Sequence, residues 1–243
     1  MGIRFFYEDD HLVVVEKPAG ILVHPIPGCS ERTFFDDIRQ YFSESSVSED
    51  VQARLVHRLD RGTSGLMVIA RTKAAAQKLS FSFRKRMIQK GYVALVFGSA
   101  PEKFTVNVPI GKVSNQPVRW GADSEKGKKA ETFFETAWSS EDFSLLKVKP
   151  ISGRTHQIRV HSTWQGHPIV GDPWYRGEYV PITPWQKYLY RYAQRLCLHA
   201  YHLEFEHPVL GARMKFWCPL PDSFIDIVRS VSASPLNLDT SPT

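Results

Sequence analysis

Positions 57–65 read His57-Arg58-Leu59-Asp60-Arg61-Gly62-Thr63-Ser64-Gly65. One carboxylate stands between two guanidinium groups, with a histidine ahead and small hydroxylic residues behind. Cations on both sides favour the ionised form of Asp60 and predict a lowered pKa. An ionised carboxylate suits a nucleophile or base better than an acid. The same residues also fit a structural Arg–Asp pair at a turn, and the spacing alone leaves both readings open.

A second dense group is Gly153-Arg154-Thr155-His156-Gln157-Ile158-Arg159-Val160-His161. The glycine permits a tight passage from a strand into a helix predicted over 153–165, with Gly166 as its C-cap. Arg154 then lies beside the helix N-terminus, and Arg159 about one turn from Thr155 and His156. His156 and His161 are five apart with no Glu between them, unlike an i, i+4 zinc pair. They are expected to be hydrogen-bonded structural histidines, and no metal site is predicted.

Several elements must position these groups. Leu66-Met67-Val68-Ile69-Ala70 reads as a strand that starts at Gly65 and holds Asp60 at a rigid edge. Residues 3–7 and 12–16 form a hairpin around Glu8-Asp9-Asp10. Lys17-Pro18-Ala19-Gly20 breaks the second strand, and extended structure resumes over 21–25. Thr33 opens a Thr-x-x-Asp capping signal for a helix carrying Phe34, Ile38, Tyr41 and Phe42. Residues 43–50 read as a surface loop.

Thr72 caps a helix with Ala75, Leu79 and Phe83 on one face, ending in Arg84-Lys85-Arg86 with Lys90 beyond. Further strands are predicted over 92–97, 132–138, 143–148, 198–205 and 214–217. Residues 109–130, rich in Gly, Lys and Asn, read as a mobile excursion. Thr183-Pro184 opens a helix with Trp185, Leu189, Tyr192 and Leu196 on its apolar face. Asp222 caps a final short helix. Strands outnumber helices and follow one another as hairpins. The fold class is therefore α+β, a single catalytic domain over 1–229 around a largely antiparallel mixed β-sheet with flanking helices and loops. Residues 230–243 are Ser- and Pro-rich and are expected to be disordered.

With 243 residues the chain can bury one sizeable core, and 42% hydrophobic content places it among globular rather than disordered chains. Its 31 Lys and Arg against 25 Asp and Glu give a net charge of +6, which favours a polyanionic partner, RNA first. Cys29, Cys197 and Cys218 offer neither a disulfide framework nor a zinc ligand pair, and are expected to be reduced thiols of a cytoplasmic protein. The N-terminus turns acidic too early for a secretory signal. No apolar run approaches the roughly 20 residues that span a bilayer, so no membrane association is expected.

The motifs together resemble the RluA-type pseudouridine synthases. In that family's order stand Asp10-His11-Leu12-Val13-Val14-Val15-Glu16-Lys17-Pro18-Ala19-Gly20 with Val23-His24-Pro25, then 57–65, then Lys90-Gly91-Tyr92-Val93-Ala94-Leu95-Val96, then 153–161. Gly166-His167-Pro168-Ile169-Val170-Gly171-Asp172, Leu198-His199-Ala200 and Phe205-Glu206-His207-Pro208 resemble its closing segments. The likeness runs from about residue 5 to 221.

The resemblance implies an isomerase, an intramolecular transferase that turns an RNA uridine into pseudouridine without metal, redox cofactor or external water. Asp60 matches the family's essential carboxylate, and both attack at C1′ and removal of the 2′ proton stay open. Tyr92 matches the tyrosine that packs on the base and helps remove the C5 proton. Arg154 matches the arginine that pairs with the carboxylate, and Arg58 one that fills the gap left by the flipped nucleotide. His57, Thr63, Ser64, Gly65, Thr155, His156 and Ile158 are expected to support these motifs.

The likeness begins almost at Met1, without the S4-type domain that many relatives carry ahead of it. RNA contacts are therefore expected from Arg58, Arg61, Arg84, Lys85, Arg86, Lys90, Lys112, Arg119, Lys126, Lys128 and Lys129. A monomer acting on a tRNA or rRNA stem-loop is expected. Two other readings remain open: a catalytically silent RNA-binding or RNA-chaperone relative, and a metal-dependent phosphohydrolase on His57, Asp60, His156 and His161.

Overall fold

A computed structural model describes residues 2–26, 28, 30–45, 52–115, 118–123 and 125–232. In chain order it forms β1 (Arg4–Glu8), β2 (Leu12–Lys17), α1 (Phe34–Ser45), β3 (Arg54–Leu55), β4 (Ser64–Ala70), α2 (Lys73–Arg84) and β5 (Gln89–Phe97). There follow β6 (Lys103–Val106), β7 (Ile110–Asn115), β8 (Val118–Ala122), β9 (Thr132–Ser139), β10 (Phe143–Pro150) and α3 (Gln157–Trp164). The last are α4 (Pro184–Tyr192), β11 (Leu198–Glu206), β12 (Arg213–Trp217) and α5 (Asp222–Val231). Two compact units result, residues 1–90 with 200–218, and residues 91–199 with 219–243.

In the first unit the strand order is β1-β2-β4-β11, with β12 on β11 and β3 on β4. β1 pairs with β2, β2 with β4, and β11 with β12, all antiparallel. Side chains of a strand alternate between faces, so the unbroken apolar runs 12–15 of β2 and 66–70 of β4 must be covered on both. One face packs Leu12, Val14, Leu66, Val68 and Ala70 on Ala75 and Leu79 of α2, with Phe205 and Cys218. Thr72 caps α2 by accepting from the Ala75 amide at 3.2 Å. The hairpin turn is tied to the closing motif, because Asp9 accepts from Tyr7, from two backbone amides and from His207 at 2.7 Å.

In the second unit β5-β10-β9-β6 form an antiparallel run, and β7 and β8 a separate hairpin. The α+β class and the mostly antiparallel sheet expected from sequence are observed. No helix among the described residues is long and apolar enough to cross a membrane.

Several local expectations are corrected. Over 109–130 the chain forms the β7/β8 hairpin, with Lys128 bridged to Ile110 by paired backbone hydrogen bonds of 2.9 and 3.0 Å. Gly111 faces Gly121 across it, and glycine weakens a strand's signature, which hid the alternation. Residues 21–25 form no strand; the carbonyls of Leu22 and Val23 instead accept from the Phe34 and Phe35 amides at the start of α1. Helix α3 starts at Gln157 rather than 153, because His156 takes a left-handed φ of 57° and leaves Arg154 and Thr155 in the loop. Helix α4 buries Gln186 and Leu189 while Trp185 and Tyr192 face outward. Pro221, not Asp222, is the N-cap of α5, which runs on through Ser230. Cys29, most of the expected 43–50 loop and the tail beyond 232 lie outside the described residues.

Candidate active site

In the first unit Asp60 begins a tight turn leading into β4, its carbonyl accepting from the Thr63 amide at 3.1 Å. The next carbonyl, that of Arg61, accepts from the Gly20 amide at 2.8 Å and from Nζ of Lys17 at 3.2 Å. Lys17 is fully buried and also donates to the carbonyls of Pro18 at 2.7 Å and Ile21 at 3.0 Å. A buried ammonium is tolerable only when such acceptors replace its hydration. The break 17–20 and the Asp60 turn are thereby fastened together. Thr63 and Ser64 are buried behind the half-buried Asp60. Gly65 has φ +118°, and a Cβ there would overlap the Ala200 carbonyl, so no other residue fits.

The flanking arginines reach outward. Arg58 comes within 3.5 Å of Nε2 of His24. Arg61 donates to the Gly20 carbonyl at 2.9 Å and pairs with Glu31 at 3.1 Å, both partners half exposed. Glu31 lines an open depression of about 370 Å³ with Pro25, Ser30, Arg32, Asp36 and Gln40, a mixed-charge hollow that excludes Asp60 from its walls.

His57 stacks on Phe83 at 4.5 Å, and its Nε2 accepts from the Val68 amide at 3.0 Å. That bond places the proton of the neutral ring on Nδ1. Burial, helped by the charge of Lys90, pushes its pKa down to about 3. His57 therefore supports β4 as a neutral ring. Burial, and then the charge of Arg86, lowers Lys90 to about 8.

In the second unit Tyr92 is half-buried in β5, opposite Val148 of β10. The 153–161 motif forms a web around the start of α3. The amide oxygen of Gln157 accepts from Ser152 and from the Arg154 amide, while its Nε2 donates to the Glu131 carbonyl and to Thr132. Thr132 then donates to Nδ1 of His161 at 2.9 Å, whose Nε2 donates to the Val108 carbonyl at 2.9 Å. Burial lowers the pKa of His161, consistent with a neutral ring whose two nitrogens are both engaged. His156 meets the Tyr175 hydroxyl at 2.7 Å. Thr155 is half-buried and Ile158 buried. Arg154 donates from Nε to the Lys129 carbonyl at 3.2 Å, which joins the arginine to the basic segment.

The basic residues expected to meet RNA are exposed in both units, except Lys90, which is half-buried. Arg84, Lys85 and Arg86 close α2, where Arg86 takes φ 58°. Lys112, Arg119, Lys126, Lys128 and Lys129 stand on the hairpin and the turn after it. Asp123 shapes that turn by accepting from the Glu125 and Lys126 amides. A Cβ at Gly127 would overlap the Asp123 carbonyl.

Two positioning residues escaped the sequence reading. Lys17 gave one signal, a lysine closing a strand that opens with four apolar residues. Arg159 forms a buried two-bond pair with Asp172, at 2.7 and 2.9 Å, and Asp172 also accepts from the Trp174 and Tyr175 amides. No spacing announced that pair.

Residues 11–164 match a family model described as RNA pseudouridylate synthase. The chain is 36% identical over 226 residues to ribosomal large subunit pseudouridine synthase D of Pseudomonas aeruginosa, across 92% of this chain and 70% of that one. Against the protein of the same name from Vibrio cholerae the identity is 35% over 234 residues, across 95% and 71%. Among solved structures, human RNA pseudouridylate synthase domain containing 4 matches with a TM-score of 0.76 at 25% identity, covering 93% of this chain and 92% of that one.

Proposed function

Because this chain belongs to the RNA pseudouridylate synthase family, we propose that it isomerises a uridine of large-subunit ribosomal RNA, with Asp60 as the essential carboxylate. The observation that carries the assignment is the fastening of the Asp60 turn by Lys17, Gly20 and Gly65. A catalytic group must be held to within a fraction of an ångström of its working geometry. The names of the relatives support the ribosomal substrate.

In this reading the N1–C1′ bond of the nucleotide breaks with Asp60 acting on the ribose, at C1′ or at the 2′ position. The uracil turns, a C5–C1′ bond forms, C5 loses its proton and N1 gains one. Atoms balance without any added reagent. Tyr92 packs on the base and assists departure of the C5 proton, and Arg154 pairs with the carboxylate. Arg58 fills the gap in the stack, offsetting the few kcal/mol that flipping a base costs. The catalytic domain spans 1–229 and acts as a monomer.

The test is tritium release from large-subunit rRNA transcripts carrying [5-³H]uridine. Wild type is expected to release tritium, and Asp60→Asn to release none while binding RNA with nearly unchanged affinity. Tyr92→Phe should bind but turn over slowly. Near-wild-type release by Asp60→Asn would remove that residue from the mechanism.

A further inference from the structure

Helix α4 turns its aromatic residues outward. Trp185, Tyr188 and Tyr192 are 52%, 53% and 61% exposed. They fall at i, i+3 and i+7, along one stripe of the helix. Trp185 meets Tyr188 edge-on at 5.9 Å, and Tyr188 lies 5.3 Å from Tyr192, so the rings form a continuous row.

The row is not needed to hold the helix. Thr183 and Gln186 form a capping box, and both donate to the two carboxylate oxygens of Asp142, each at 3.0 Å. Leu189, one turn after Trp185, and Gln186 beyond it are buried along the flank of the stripe and anchor the helix. Three large rings are thus kept in water on a rigid support. Exposed Lys187 and Arg191 form the adjoining stripe, again one turn apart. No acidic residue occurs from Thr183 to Leu196.

Resting on the RNA-modifying activity argued above, we propose that this face of α4 docks a single-stranded segment of the substrate RNA. Its bases stack on Trp185, Tyr188 and Tyr192, and its phosphates meet Lys187 and Arg191. The charge decides among occupants: Lys187 and Arg191 stand on a helix whose own residues include no acid, in a chain of net charge +6, and complement a polyanion. The Asp142 carboxylate is occupied by Thr183 and Gln186 at the first turn. The rings decide the strandedness, because aromatic faces bind unpaired bases and a duplex hides them. Sequence tolerance follows, since every base has a stacking face.

The probe is a fluorescein-labelled single-stranded oligo(A) 12-mer, which carries no uridine. Wild type should bind it with salt-dependent affinity, and the triple variant Trp185→Ala/Tyr188→Ala/Tyr192→Ala should bind at least about tenfold more weakly. The double variant Lys187→Gln/Arg191→Gln should lower the salt slope by roughly 1.4 units, about 0.7 for each phosphate neutralised. Circular dichroism should show all variants folded, and tritium release at saturating rRNA should keep its kcat while KM rises. Wild-type failure to bind oligo(A), or equal affinity in the triple variant, overturns the inference. So does self-association of wild type that the triple variant abolishes, which would assign the face to a second copy of the chain. Tritium release by wild type is read separately, so loss of the docking face and loss of the proposed activity are told apart.

Discussion

Nζ of Lys17 lies 3.2 Å from the carbonyl oxygen of Arg61, the residue after Asp60, although 44 positions separate the two in sequence. The ammonium holds two loops at once, since it also binds the Pro18 and Ile21 carbonyls. Lys17→Met is expected to strand those acceptors and to destabilise the protein by about 1–3 kcal/mol. Turnover should fall further than RNA affinity, because the loss falls on the placement of Asp60. Lys17→Arg should not rescue, as a planar guanidinium does not fit a point charge's socket. Tritium release and RNA affinity at a temperature where the variant remains folded decide the matter; undiminished turnover would show that the clamp is irrelevant to Asp60.

His57 gives an acid-side signature. Its pKa in the folded protein is about 3, below the 6.5 of the free side chain. Between those values the unfolded chain binds a proton that the folded one refuses. Stability from this group is therefore complete above pH 6.5 and is lost progressively as pH falls towards 3. His161, also lowered, adds to the same slope. His57→Gln can keep an acceptor for the Val68 amide without titrating, so its stability should fall less steeply from about pH 6.5 to about pH 4. Urea midpoints across that range provide the measurement, and parallel curves for the two proteins would contradict the assignment.

Arg86 closes α2 in a left-handed conformation, with its amide donating to the Phe83 carbonyl and the Met87 amide to that of Ser82. This is the position where helices favour glycine. Arg86→Gly should stabilise the fold by about 0.5–1 kcal/mol, after the extra freedom of glycine in the unfolded chain is counted. RNA affinity should drop with the removal of the cation. A raised Tm with weaker RNA binding is the expected pair of results; a raised Tm with unchanged binding would take Arg86 out of the RNA track.

Neutralising Lys126, Lys128 and Lys129 together should weaken RNA binding and flatten its salt dependence, by somewhat less than one unit for each phosphate that no longer meets a cation. The modified uridine should stay the same, since phosphate contacts carry no base information. Lys128 is bridged to Ile110 and Lys129 is held by Arg154, so these cations stand on an ordered segment rather than a loose arm. An unaltered salt slope in the triple variant would leave the exposed Arg84, Lys85 and Arg86 as the cationic track.

Elements whose signals are local could be read from the order of the residues. Thr33 and Thr72 announced α1 and α2 because a cap is chosen by residues within one turn of it. The apolar run 66–70 announced β4 for the same reason, and the spacing of the motifs sufficed to place the chain in its family. Which neighbour covers each face depends instead on contacts between residues far apart in the chain. In α4 the exposed Trp185 and the buried Leu189 stand one turn apart, so periodicity puts both on one face; the helix is in fact rotated so that Gln186, bonded to Asp142, and Leu189 turn inward. The β7/β8 hairpin was hidden by facing glycines, whose pairing depends on a partner strand and not on their own propensity. Lys17 was legible as an oddity but not as a clamp, because its acceptors are backbone carbonyls. Every residue has one, so no side-chain pattern marks the Arg61 carbonyl as the partner until the folded chain brings residue 61 to residue 17.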